Sequence, residues 1–226
     1  MDIKLAVFDW SGTISDDFGV LYDVVMDIFD ENNVKRVSRE EFLRTYTLPY
    51  MAQISTFFDI SKEKWDIMFR EKWTHKGHPR VFPQAKRVLD DLKSRGITMT
   101  ILTSHPKDFL MREINSYFPG SAYFDDVFAD AYDKRNVIHS LMSKMNFVPR
   151  ETLFVGDTVH DIETGKHAGV ITAAILTGYN TQESLQAVNP DFFLQNCSIM
   201  GVGRPNSSKV FTIVGTLRRV ASKNPL

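Results

Sequence analysis

Apolar positions recur with two different periods along this 226-residue chain, and the alternation between the periods predicts a layered α/β fold. Short unbroken apolar runs read as buried strands, the first being Leu5-Ala6-Val7-Phe8. Further runs fall at 97–102, 124–129, 152–155, 171–176 and 191–194. Between them the spacing turns helical. Ala85, Val88, Leu89 and Leu92 share one side of a helix over 84–95, which Gly96 stops. Others are expected at 108–117, 136–145, 162–168 and, more briefly, 182–187. Strands alternating with helices in this way predict a parallel, doubly wound sheet.

From about 15 to 80 the pattern is helical without a strand. Asp16 or Asp17 is the expected cap of a helix carrying Val20, Leu21, Val24, Val25, Ile28 and Phe29, ended by Asn32-Asn33. Ser38 and Glu41 form a capping-box pattern for a helix reaching about 48. Pro49 punctuates before a third helix over 50–58, and Ser61 caps a fourth with Trp65, Met68, Phe69 and Trp73 on one face. That aromatic stripe reads as core rather than as a cofactor box. Gly77-His78-Pro79 and Pro83 break the run and suggest a hinge. The expected organisation is therefore a doubly wound core from 1–14 and 81–200, an inserted helical cap at 15–80, and a C-terminal extension at 201–226. Within that extension, 201–208 is rich in Gly, Pro and Ser. Residues 210–221, with Arg218 and Arg219, read as an amphipathic helix that is either solvated or packed on the core.

Composition narrows the partners. A net charge of −1 gives no broad footprint for nucleic acid. No run of about 18 apolar residues is present, so no segment reads as membrane-spanning. The first strand begins almost at once, which leaves no room for a signal peptide. The single cysteine, Cys197, has no partner in the chain and is expected to be a buried, inert thiol, in keeping with a reducing cytoplasm.

The candidate chemistry sits where strands end. The first strand runs into Asp9-Trp10-Ser11-Gly12-Thr13, the second into Thr103-Ser104-His105-Pro106, and the fourth into Gly156-Asp157 with Asp161 four residues on. Lys134 lies just beyond the third. Parallel strands bring all these ends to one rim of the sheet. Three carboxylates there suit magnesium, a hard cation that takes oxygen ligands together with substrate phosphate. The lysine would offset charge between a carboxylate nucleophile and an anionic phosphoryl group. Thr103 and the backbone N–H groups beyond it would hold phosphate oxygens.

These four stretches, in this order, resemble the four motifs of the haloacid dehalogenase-like hydrolase superfamily. The resemblance covers about residues 3–196 and includes a helical cap inserted after the first motif, as in the phosphoglycolate phosphatase-like group. It implies that Asp9 is phosphorylated during the reaction, with Lys134 beside it. It also implies Mg²⁺ held by Asp9, the Ser11 backbone carbonyl, Asp157 and, directly or through water, Asp161. Phosphate contacts are expected from Ser11, Gly12, Thr103, Ser104 and Lys134.

One residue departs from the pattern. Family phosphatases usually carry a second aspartate two residues after the nucleophile, as general acid and base, and this chain has Ser11. A serine hydroxyl does not exchange protons usefully near neutral pH, and positioned acid–base catalysis supplies about 10²–10⁴-fold. Weak activity on esters with poor leaving groups follows unless another group stands in. His105 and His160 lie near the rim and titrate in the right range, although a structural histidine is the commoner case. The first motif is also similar to the Asp-Trp-Ala-Gly-Thr of phosphonoacetaldehyde hydrolases, which cleave a C–P bond through a Schiff-base lysine in the cap. Arg44 stands at the comparable place and stays protonated, and Lys62, Lys64, Lys72 and Lys76 read as surface lysines. A dehalogenase is disfavoured by Ser11, where that branch has tyrosine at the equivalent position. A weakly active phosphate-binding or regulatory protein is a further alternative. The reading that accounts for most residues is a magnesium-dependent hydrolase of small phosphorylated metabolites, acting on neither nucleic acid nor membranes.

Overall fold

Strand β1 (Leu5–Phe8) is fully buried and sits at the centre of the main sheet. The computed structural model describes residues 3–77, 79–120 and 122–194, together with the backbone of 201–202 and 210–211. After β1 the chain forms β2 (Ser15–Asp16) and four helices: α1 (Phe18–Glu31), α2 (Arg39–Arg44), α3 (Tyr50–Ile54) and α4 (Lys62–Lys76). It returns through β3 (Arg80–Val81) to α5 (Ala85–Ser94), β4 (Thr98–Leu102), α6 (Lys107–Tyr117), β5 (Asp126–Phe128) and α7 (Arg135–Met145). There follow β6 (Thr152–Gly156), α8 (Val159–His167), β7 (Ile171–Ile175), α9 (Gln182–Ala187), β8 (Phe192–Leu194), β9 (Gly201–Val202) and β10 (Val210–Phe211).

The sheet runs β10-β9-β8-β7-β6-β1-β4-β5, and the six strands from β8 to β5 are parallel. Period-two alternation assigns the faces. Ala6 and Phe8 enter a core with Val88, Leu89 and Leu92 of α5 and Leu110 of α6. Leu5 and Val7 enter the opposite core with Ile138, Leu141 and Met142 of α7. Each large side chain buried in these layers contributes roughly 1.5–3 kcal/mol. β1 pairs with β4 on one side and β6 on the other. The chain order therefore reverses direction at β1, which opens a crevice at the carboxyl ends of these three strands.

The helices α1–α4 have their own apolar cluster. Val24, Val25, Ile28 and Phe29 of α1 pack there with Phe42, Ile54, Trp65 and Trp73, joined by Phe109 of α6. The chain leaves and re-enters the sheet layer through the antiparallel β2·β3 ribbon, in which Ser15 pairs with Val81 and Asp16 with Arg80. That ribbon lies where helix and hinge were expected, since two-residue strands carry no readable period.

Other boundaries shift for local reasons. α3 ends at Ile54 rather than 58, where the hydroxyls of Ser55 and Thr56 donate back to the carbonyls of Ala52 and Gln53. α8 starts at Val159 rather than 162, because Thr158 and Asp161 form a reciprocal capping box. Val210–Phe211 is a strand paired with Gly201–Val202, not the start of the expected helix. The remainder of 210–221, the 203–208 stretch, His78 and Cys197 lie outside the described residues.

Candidate active site

The loop after β1 is fixed before any ligand is considered. The N–H groups of Ile14 and Ser15 donate to the Trp10 carbonyl, and Gly12 N donates to Ser15 O at 2.8 Å. Gly12 has φ +72°, and a Cβ there would lie 2.5 Å from Asp157 Oδ2. Glycine is thus needed both for the left-handed turn and for the approach of the carboxylate. Gly178, after β7, presses on Asp157 from the other side: a Cβ there would lie 1.9 Å from Oδ2. Between these two loops Asp157 accepts from Thr13 Oγ1 at 2.8 Å and from Tyr179 N at 2.9 Å.

Asp9, Asp157 and Asp161 each bring one carboxylate oxygen within 4.8 Å of the others, and all three are buried. Lys134, fully buried at the start of α7, lies 2.8 Å from Asp9 Oδ1 and 2.6 Å from Asp161 Oδ1. The second Asp161 oxygen accepts from Thr158 N and Oγ1 at 3.0 and 2.6 Å. Asp9 Oδ1 and Asp161 Oδ1 thus share the one ammonium. Three carboxylates against one ammonium leave uncompensated negative charge. Burial, opposed by the Lys134 charge and reinforced by Asp161, raises the Asp9 carboxyl above its usual range. Burial, with the charges of Asp9 and Asp161, raises Asp157 well above its own. For Lys134, burial opposes the charge, but Asp161 and Asp9 outweigh it and hold the ammonium protonated. An all-oxygen donor set with excess negative charge fits a hard divalent cation.

The expected residues fall into two layers. Asp9, Ser11 and Ser104 open onto a chamber of about 140 Å³ beneath α4. Thr103, Lys134, Asp157 and Asp161 lie buried below its floor. Thr103 Oγ1 accepts from His105 N at 3.2 Å, leaving its hydroxyl proton to donate elsewhere. Gly12 differs from expectation: its N–H is already committed to Ser15 O and, at 3.2 Å, to Asp17 Oδ1. It shapes the loop and offers no free amide to a phosphate.

The two histidines separate. His160 Nε2 accepts from Lys134 N at 3.2 Å, and burial lowers its pKa, which marks a neutral structural imidazole. His105 faces the chamber, with Nε2 3.2 Å from Glu113 Oε1, while Trp10 Nε1 donates to Glu113 Oε2 at 2.7 Å. Burial works against the charged ring, yet the hydrogen bond and charge of Glu113 prevail and raise the His105 pKa. Glu113 is not singled out by the sequence reading. The available signal was its place between Leu110 and Ile114 on the buried face of α6. Asp17 departs from its expected role as a helix cap. It stands at the α1 N-cap but makes no cap bond; its Oδ1 accepts from Tyr179 OH at 2.7 Å and lies in the chamber wall. Burial, against the His105 charge, pushes its carboxyl up to about 6.

No lysine of the helical unit lines the chamber among the described residues. Lys62, Lys72 and Lys76 pair with Asp66, Glu31 and Asp27, and Lys64 donates to Asn32. Arg44 faces a second cavity beside α8 and α9.

A family model described as haloacid dehalogenase-like hydrolase matches residues 6–175. The chain is 28% identical to the phosphoglycolate phosphatase of Vibrio parahaemolyticus over 220 residues, covering 87% of this chain and 94% of the relative. It is also 28% identical to pyrophosphatase PpaX of Oceanobacillus iheyensis, with the same 87% and 94% coverage. Among solved structures, a haloacid dehalogenase-like family hydrolase from Streptococcus pneumoniae superposes with a TM-score of 0.76 at 21% identity, covering 86% of this chain and 95% of its own. CbbY from Rhodobacter sphaeroides, solved in complex with phosphate, gives 0.72 at 16% identity, covering 86% and 95%.

Proposed function

Since this chain belongs to the haloacid dehalogenase-like hydrolases, we propose that it is a phosphatase of small phosphorylated metabolites, dependent on Mg²⁺ and working through an aspartyl phosphate on Asp9. The observation that carries this reading is the cluster of Asp9, Asp157 and Asp161 with Lys134 at the foot of the chamber. Phosphoglycolate phosphatases and pyrophosphatases among its relatives point the same way. We take α1–α4 to be the cap that selects the substrate.

Asp9, Asp157 and the Ser11 backbone carbonyl would hold the ion, with Asp161 in support. When bound, the ion neutralises phosphoryl charge and aligns the phosphorus with its nucleophile. Asp9 attacks phosphorus, and the bond from phosphorus to the ester oxygen breaks with its electron pair going to that oxygen. Lys134 holds Asp9 ionised and in place. Ser104, the Thr103 hydroxyl and Lys134 bind the phosphoryl oxygens. Water then attacks the acyl phosphate, regenerating Asp9 and releasing inorganic phosphate. Wild type is expected to release phosphate from a panel of monoesters in Mg²⁺, and Asp9→Asn to lose at least about 10³-fold while keeping its fold by circular dichroism. Full magnesium-dependent turnover by Asp9→Asn would remove the nucleophile assignment.

A further inference from the structure

The chamber over Asp9 is lined by polar groups from the strand ends and by aromatic rings, several of them from α4. Trp65, Phe69 and Trp73 repeat every four residues along α4, and their rings stack at 6.4 and 5.4 Å between centroids, inclined by 25° and 26°. Tyr46, Tyr50 and Tyr132 line it as well, the last two in edge contact at 5.8 Å.

Charge says what this lining rejects. Among the described residues, the cations of the wall are Arg70 and His105. Arg70 is held by Asp108 at 2.9 Å, and His105 by Glu113. Lys134, below the floor, is shared between Asp9 and Asp161. The wall also carries Asp66, which accepts from Tyr50 OH at 2.5 Å and pairs with Lys62. A second phosphate or a carboxylate on the substrate would meet no cation there that is not already paired.

From this lining we infer that the substrate is a monophosphate ester whose organic part is uncharged and aromatic, with its ring against the Trp65–Phe69–Trp73 stack. This rests on the phosphatase reading above. Ser11 agrees with it. In the first step the bond between phosphorus and the ester oxygen breaks, and the electron pair leaves on that oxygen. When the oxygen is phenolic, its conjugate acid has a pKa of about 10. It departs as the aryloxide and takes its proton from solvent, so a serine beside Asp9 costs such substrates less than it costs alkyl esters.

The test compares kcat/KM in Mg²⁺ for phenyl and benzyl phosphate against glycerol phosphate, 2-phosphoglycolate and pyrophosphate. Benzyl phosphate separates ring binding from leaving-group reactivity, because its oxygen is that of an ordinary alcohol. Both aromatic esters are expected to exceed all three others, benzyl phosphate by about tenfold, and Phe69→Ala to reduce the benzyl-to-glycerol ratio by about tenfold. Preference for 2-phosphoglycolate or pyrophosphate, or an unchanged ratio in a folded Phe69→Ala, overturns this inference and leaves the phosphatase reading standing. No turnover of any ester overturns both.

Discussion

At the scale of single residues, two side chains facing the chamber carry consequences that can be measured. Ser11 provides a hydroxyl beside Asp9 where a carboxyl would supply the proton for an alcohol leaving group. Ser11→Asp should therefore raise kcat on glycerol phosphate by about 10²-fold and phenyl phosphate far less, as general acid catalysis predicts. A uniform change on both esters would show that residue 11 does not act through the leaving group. His105 gives a pH dependence with a definite sign. Its folded pKa is raised by Glu113, so the folded state holds the proton more tightly than the unfolded chain does. The stability this contributes is fully present below about pH 6.5, the ordinary histidine value, and is lost as pH rises through the folded value. The stability difference between wild type and His105→Gln, read from urea unfolding at several pH values, should shrink toward alkaline pH. A difference constant with pH would remove the charged pair. The Trp10–Glu113–His105 connection was illegible beforehand because it joins three elements. Only the burial of Glu113 on an apolar helix face hinted at it.

At the scale of elements, the site is made by loops that the sheet holds together. The turn after β1 and the turn after β7 close on Asp157 from two sides, through Gly12 and Gly178. Gly178→Ala is the cleaner probe, since a Cβ there meets the carboxylate without a left-handed backbone to strain. Displacing Asp157 by about 1 Å is expected to cost about 10²-fold in kcat/KM. Half-saturation with Mg²⁺ should rise in parallel, and wild-type Mg²⁺ dependence in the variant would show that the loop accommodates the methyl group. The α8 capping box serves two ends at once: Thr158 starts the helix and occupies the Asp161 oxygen that Lys134 leaves. The central strands were readable as unbroken apolar runs because both of their faces are buried, and most helices from their period because each buries one defined face. The β2·β3 ribbon and the short α3 were not, since their lengths are set by cross-chain pairing and local hydroxyl bonds rather than by a repeat.

At the scale of the whole molecule, the charge cluster would couple the binding of an ion to folding. Asp9, Asp157 and Asp161 come together only in the folded chain, so an ion bound there favours the native state by RT ln(1 + [L]/Kd), about 2.7 kcal/mol at a hundredfold excess over Kd. Millimolar Mg²⁺ is expected to raise Tm by several degrees over EDTA, and Asp157→Asn to abolish most of that shift. Equal shifts in both proteins would place the binding elsewhere. The α4 aromatic stripe belongs to this scale too. Its period was legible and read as core, and Trp65 and Trp73 are indeed buried, yet the same rings line the chamber. What the sequence alone determined was the order of the six parallel strands and of the main helices, and the polar residues at strand ends, because apolar runs, helical period and local turn chemistry act over a few neighbouring residues. The tertiary structure alone decided that the acidic residues share one buried point, that Gly12 turns its amide inward, and that Asp17 leaves its helix to face the chamber. Those outcomes depend on distances between segments far apart in the chain, and only packing sets such distances.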